Sequence, residues 1–211
     1  MEVERVISKA VEEVKRMLKP YPQLGEDLQK ARENLVLTPF DIAILAKMQS
    51  EWCGRCGECC RRCTPINISR REAELLAFAV KLPYKKFKRK FKLTPKGDGT
   101  FNMSGAPCPF LKGNLCSVYH IRPFVCRAFP VGEAIVEVSE GKHELQLPYY
   151  CQAIKKLFAY KMAWLVVKLR VDREDPVLAE QLRRYAENLT PQLKSPKEAM
   201  QFALALVEAT L

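Results

Sequence analysis

Cys53, Cys56, Cys59 and Cys60 fall within CGRCGECC, and Cys63 stands just beyond. A C-x-x-C step is short enough for both sulfurs to turn to one ion, and the interleaved glycines let the backbone fold back around it. Four more cysteines lie far downstream: Cys108 in CPFL, Cys116, Cys126 in RPFVCR, and Cys151. Adjacent Cys59 and Cys60 tend to point in different directions, so placing both with Cys53 and Cys56 on one small tetrahedral ion is strained. The simplest solution is two centres, or one multi-iron cluster plus a separate ion, each drawing sulfurs from both halves of the motif. The candidate ligands are Cys53, Cys56, Cys59, Cys60, Cys108, Cys116, Cys126 and Cys151. Burial as a small apolar side chain accounts for a lone cysteine, Cys63 or Cys151 for example, but not for four within eight residues. Zinc and iron–sulfur clusters both accept all-thiolate surroundings, so ligand type alone leaves the cofactor open between an iron–sulfur cluster and zinc ions. His120, Arg122 and Arg127 lie close in sequence to Cys116 or Cys126, where N–H donors neutralise thiolate charge and tune a redox potential; bracing a loop beside Pro123 and Pro130 is the plainer role. Phe110, Tyr119, Phe124 and Phe129 either shield a centre from water or belong to the core.

CGRCGECC, the following Ile66-Asn67-Ile68-Ser69 with Glu72, CPFL at 108–111, Cys116 with Tyr119, and RPFVCRAFP at 122–130 together resemble the YkgJ-type cysteine-cluster family, the CxxCxxCC zinc- or iron-chelating domain. The likeness covers about 53–151, with Cys151 as the family's last cysteine; Cys63 has no counterpart in it, and the flanks match nothing comparable. The resemblance implies an iron–sulfur or zinc centre. One relative, a flagellin lysine methylase, carries a similar cysteine set and is associated with a [4Fe–4S] cluster. That relative and the odd ninth cysteine raise the alternative of a cluster-dependent enzyme such as a protein lysine methylase, with one iron left open to a small molecule. The leading expectation is a [4Fe–4S] protein in a redox or accessory role, with a second metal alongside the cluster. The alternative is a zinc-binding structural protein.

The chain carries 35 Lys and Arg against 24 Asp and Glu, a formal net charge of +11. The excess is concentrated in KLPYKKFKRKFK, where Lys85, Lys86, Lys88, Arg89, Lys90 and Lys92 occur without an acid among them. With Tyr84, Phe87 and Phe91 interleaved, the run looks like a stacking-plus-phosphate surface for nucleic acid. The same aromatics are three and four apart, which equally describes the buried face of a short helix with solvated lysines. An acidic protein partner explains the charge as well as RNA does.

Several function classes find no support. The chain has no G-x-x-x-x-G-K-[ST], no G-x-G-x-x-G after a strand, no H-E-x-x-H and no G-x-S-x-G. The C-x-x-C steps also differ from the C-x-x-x-C spacing expected of radical enzymes. His120 and His143 are too far apart in sequence to suggest a catalytic pair. No apolar run reaches the ~18 to 20 residues a bilayer requires, so no membrane association is expected. The opening MEVERVISKAVEEVKRM interleaves acids and bases unlike a secretory signal. A cytoplasmic protein is therefore expected, in a compartment where reduced thiols favour metal over disulfides.

These residues need elements to hold them. Val3, Val6, Ile7, Ala10, Val11, Val14, Met17 and Leu18 trace one apolar stripe on a first helix that Pro20 ends. Gly25 to about Val36 reads as a second helix. Thr38-Pro39-Phe40-Asp41 opens a third, running to roughly Ser50 and delivering the chain to Cys53. Ser69-Arg70-Arg71-Glu72 is a capping box for a helix reaching about Leu82. From Thr94 to Pro130, Gly, Pro and Asn break any helical period and predict loop. Val131–Val138 and Glu144–Leu147 alternate around Glu140-Gly141-Lys142 as a short hairpin. Cys151 to about Val171 is apolar on nearly every side and predicts the central helix. Helices over Pro176–Leu189 and Pro196–Thr210 follow, the last capped by Ser195 and Glu198. The expected fold is mainly α, a single helical domain over 1–211. Within it, 1–52 are N-terminal helices, 53–151 a cysteine-rich irregular metal-binding insert with a short β-hairpin, and 152–211 C-terminal helices.

Overall fold

The computed structural model describes residues 2–62, 65–103, 105–133, 135–139, 142–189 and Ala205. Cys63, the Glu140-Gly141 bend and the Ser195 cap lie outside the described residues, as does the helix expected over 196–210 apart from Ala205. The chain is mainly helical, with small antiparallel strands and a short hairpin.

Helix α1 (Glu2–Met17) buries Val6, Ala10 and Val14 from its apolar stripe, and α2 (Leu24–Glu33) buries Leu28 and Ala31. Helix α3 (Pro39–Trp52) starts at the expected box. The Asp41 carboxylate accepts from the Thr38 N–H at 2.6 Å and from the Thr38 hydroxyl at 2.7 Å. Asp41 is buried and also pairs with Lys161 at 3.0 Å, so the cap that begins α3 binds it to a distant helix. A short α4 (Glu58–Arg62) and strand β1 (Ile66–Ile68) lead to α5 (Arg70–Ala79). At its start, Glu72 accepts from the Ser69 N–H at 2.7 Å while the Ser69 hydroxyl accepts from the Glu72 N–H at 3.2 Å.

Helix α6 (Tyr84–Lys90) buries Phe87 completely, and Phe91 just beyond it is also buried. The two rings pack on each other and on Phe110 with centroids 4.5 to 6.5 Å apart. They are core, so they have no face left for a base, and the stacking arrangement expected of this run is overturned for them. Lys85, Lys86, Arg89, Lys90 and Lys92 remain exposed and Lys88 partly so.

Residues 94–130 are not the continuous loop expected. They hold β2 (Thr94–Pro95), β3 (Phe101–Met103), β4 (Leu111–Lys112), β5 (Leu115–Cys116), a 3-10 turn at Tyr119–Ile121 and the short helix α7 (Phe124–Ala128). Strands of two or three residues are too short to leave a period in sequence, and β1 pairs with a strand more than thirty residues away. Strands β1, β3 and β2 form one sheet in that order, with Ile66 opposite Met103 and Thr94 opposite Asn102. Helix α7 begins where the Glu72 carboxylate accepts the Phe124 N–H at 2.7 Å, a contact across 52 residues. After a 3-10 turn at Val131–Glu133, β6 (Ile135–Ser139) and β7 (Lys142–Leu145) form the expected hairpin.

Helix α8 (Gln152–Glu174) packs against α1, α2, α3 and the final helix, α9 (Pro176–Leu189). It is central, but not apolar-buried all round: Tyr160, Trp164 and Val167 are more than 40% exposed. One core joins Val6, Ile42, Leu45, Ile154 and Leu157. A separate one joins Ile66, Leu76, Phe87, Met103 and Phe110. No helix among the described residues is long and apolar enough to cross a membrane.

Candidate metal centre

The eight described cysteines sit in short elements, at the ends of longer ones or in the loops between them. Cys53 caps the C-terminus of α3, its N–H donating to Gln49 O at 3.0 Å. Gly57 then lets the loop close against the β4–β5 turn. Its φ is +75°, and a Cβ there would meet the Asn114 carbonyl oxygen at 2.9 Å, a contact only glycine tolerates. Arg61 fastens the same loop, donating to Cys56 O at 2.8 Å and Glu58 Oε1 at 2.7 Å, and to Asn114 Oδ1. Cys59 and Cys60 ride on α4, and the Cys108 N–H donates to Cys60 O at 2.7 Å, bringing the second half of the motif against the first. Cys116 ends β5 opposite Leu111, Cys126 lies in α7, and Cys151 is the N-cap of α8. The Gln49 amide N–H donates to Arg127 O at 2.9 Å, tying α3 to α7.

The outcome is one cavity of about 390 Å³ lined by all eight described cysteines, and by His120, Arg122 and Arg127. Of the four aromatics that sequence places near the centre, Phe110, Tyr119 and Phe129 line it, while Phe124 lines a neighbouring cleft instead. Within the cavity Cys60 is the hub: its thiol hydrogen-bonds with Cys108, Cys116 and Cys59, which holds its own proton far more tightly than usual. The three partners move the other way. Bonding to Cys60 lowers Cys59 and Cys108 to about 7 and Cys116 to about 6, with the Arg122 charge adding to the fall at Cys59 and Cys116. Cys151 is pushed up to about 11, chiefly by burial. The adjacent pair therefore does not diverge: Cys59 and Cys60 join one thiol network, with Cys108 and Cys116 rather than with Cys53 and Cys56.

A family model described as "CxxCxxCC: Putative zinc- or iron-chelating domain" matches residues 52–152. That segment belongs to this family. Comparison with curated proteins and with solved structures finds no match.

Zinc or iron chelation is thus the chemistry supported for the CxxCxxCC domain, and its donors suit that chemistry. Thiolates are the ligand type both metals accept in a closed site, and three of the cavity's thiols are poised to deprotonate near neutral pH. No group of three or more His, Cys, Asp or Glu side chains among the described residues stands in metal-holding geometry. Cys59, Cys60, Cys108 and Cys116 are gathered as hydrogen-bonded partners. Two further polar atoms on the cavity are buried without a hydrogen-bond partner among the described residues, Gln49 Oε1 and Arg127 Nε. Sequence reading missed Gln49, since a glutamine four residues before a cysteine carries no signal until helix and loop meet. It missed Arg55 too, although that residue lies inside CGRCGECC.

Proposed function

We propose that the CxxCxxCC domain holds an iron–sulfur cluster, with a second metal beside it, and serves a redox or accessory role. In this reading Cys59, Cys60, Cys108 and Cys116 form one ligand set, and Cys53, Cys56, Cys126 and Cys151 supply the other. The observation that carries it is the convergence of eight thiols on one cavity, twice the number one tetrahedral ion uses. An iron–sulfur cluster, when bound, supplies one-electron chemistry. The chain's own contribution is to hold the thiolates, to place the Arg122 charge beside Cys59 and Cys116, and to limit water with Phe110, Phe129 and Tyr150. The helices on either side act with the insert as one domain, bound to it through Gln49 and Arg127.

Zinc is the second reading, favoured by the compactness of the Cys60 network, since Cys60 and the three thiols that hydrogen-bond to it make up the number of ligands a single tetrahedral ion takes. Anaerobic purification with metal and sulfide analysis separates the two. A broad absorption near ~400 nm with iron and sulfide establishes the cluster, whereas a colourless protein with stoichiometric zinc establishes the alternative. Absence of both, with the thiols freely titratable in the folded protein, would refute metal binding altogether.

A further inference from the structure

We propose that the cysteine cavity binds a small oxyanion, a carboxylate or phosphate group, through Arg55 and Arg122, whose guanidiniums both lie over the ring of Tyr119. The site rests on the metal-centre reading above and adds a ligand to it. The guanidinium carbons of Arg55 and Arg122 lie 4.6 and 4.0 Å from the Tyr119 ring centroid. His120 meets the same ring edge-on, with centroids 5.9 Å apart. All four residues line the cavity.

A guanidinium stacked on an aromatic face keeps its N–H edge free, and that edge matches the two oxygens of a carboxylate or phosphate. Neighbouring Arg61 and Arg62 both pair with the Glu58 carboxylate, at 2.7 and 3.3 Å. Arg55 and Arg122 have no carboxylate partner among the described residues, and each lies over the Tyr119 ring.

Arg55 and Arg122 both line the cysteine cavity. Arg55 also sits at φ +48°, a left-handed conformation that side chains other than glycine adopt at a cost and that recurs where a loop clamps a ligand. Exposed Leu115 and Val125 line the same cavity and offer apolar surface to the carbon frame of such a ligand.

The test titrates inorganic phosphate and, separately, acetate into the full-length metal-loaded protein by calorimetry, with metal content measured on every sample. The parent is expected to bind one of the two anions saturably, and which one identifies a phosphate or a carboxylate ligand. R55Q and R122Q should each weaken binding roughly ten- to hundredfold, while R55Q keeps its metal and R55K, lacking the planar fork, recovers only part of the affinity. Saturable binding of neither anion by a metal-replete parent overturns the site, as does equal binding by parent and R55Q. Loss of metal from both R55Q and R122Q, with no anion bound by the parent, overturns it in favour of a purely counter-charge role. A parent that holds no metal yet loses anion binding in R55Q supports the anion site and fails the metal-centre reading instead.

Discussion

Cys60 donates and accepts at the meeting point of the two halves of the cysteine motif. Its backbone carbonyl receives the Cys108 N–H, and its thiol bridges Cys59, Cys108 and Cys116. Replacing it with serine substitutes a hydroxyl that does not ionise near neutral pH and is a poor ligand for zinc or iron. Cys60→Ser is expected to lower metal retention by more than the roughly 10- to 100-fold that follows from losing an outer hydrogen-bond partner of a ligand. Metal per chain after desalting measures this, with circular dichroism showing that the helices persist; full metal occupancy in this variant would remove Cys60 from the ligand set. At this scale the spacing of the cysteines was readable directly, because C-x-x-C is a local geometric statement. Which thiols share a network was not, because Cys59 and Cys60 choose their partners from residues about fifty positions away.

Among the elements, α6 shows how one pattern serves two meanings. Lysines on one face and Phe87 with Phe91 on the other describe a nucleic-acid surface or a solvated helix equally well, and burial of both rings against Phe110 decides for the helix. Phe87→Ala is therefore expected to cost about 3–5 kcal/mol of stability, read as a lowered denaturation midpoint with an unchanged slope. A near-neutral result would show that Phe87 is not packed as described.

Helices α2 and α8 are joined by a second device that no local pattern announces. Asp27, 1% exposed, receives both Arg173 Nη1 and Nη2 at 3.0 Å and the Tyr21 hydroxyl at 2.8 Å. Bonding to Arg173 holds the Asp27 carboxyl below its ordinary range despite burial, while burial and the bond to Asp27 push Tyr21 up to about 12. A depressed carboxylate contributes stability above its unfolded value near 3.9 and loses it as pH falls through the folded value. A raised tyrosine contributes below its unfolded value near 10 and loses it as pH rises towards about 12. Asp27→Asn should cost about 1.5–3 kcal/mol at neutral pH and flatten the acid limb of a stability-versus-pH curve; Tyr21→Phe should flatten the alkaline limb. Thermal melts across pH test both, and an acid limb unchanged in the asparagine variant would exclude Asp27 from the linkage.

Across the whole molecule, removal of metal should act unevenly. The sequence alone predicts disorder from Cys53 to Pro130 in the metal-free protein, but Ile66, Leu76, Phe87 and Met103 give part of that span its own apolar core. Chelation is thus expected to raise hydrogen exchange in the cysteine-bearing loops near 53–60 and 106–117, while α1, α3 and α8 keep their protection through Val6, Leu45 and Leu157. Exchange mapped by mass spectrometry before and after chelation checks this; uniform protection in the loops would argue against metal holding them.

By itself the sequence determined the helices with strong local grammar: the α1 stripe, the Thr38 and Ser69 caps, and α9 from Pro176 to Leu189. It also determined the cysteine chemistry, because ligand spacing and capping boxes are written within a few residues. Only the tertiary structure decided the rest. The strands between 66 and 116 are two or three residues long; Ile66 meets Met103 across the chain, and Leu111 pairs with Cys116 over a tight turn. The cavity shared by the cysteines exists because α3, α4, β5, α7 and the N-terminus of α8 meet there, and burial between distant segments has no signature in any one of them.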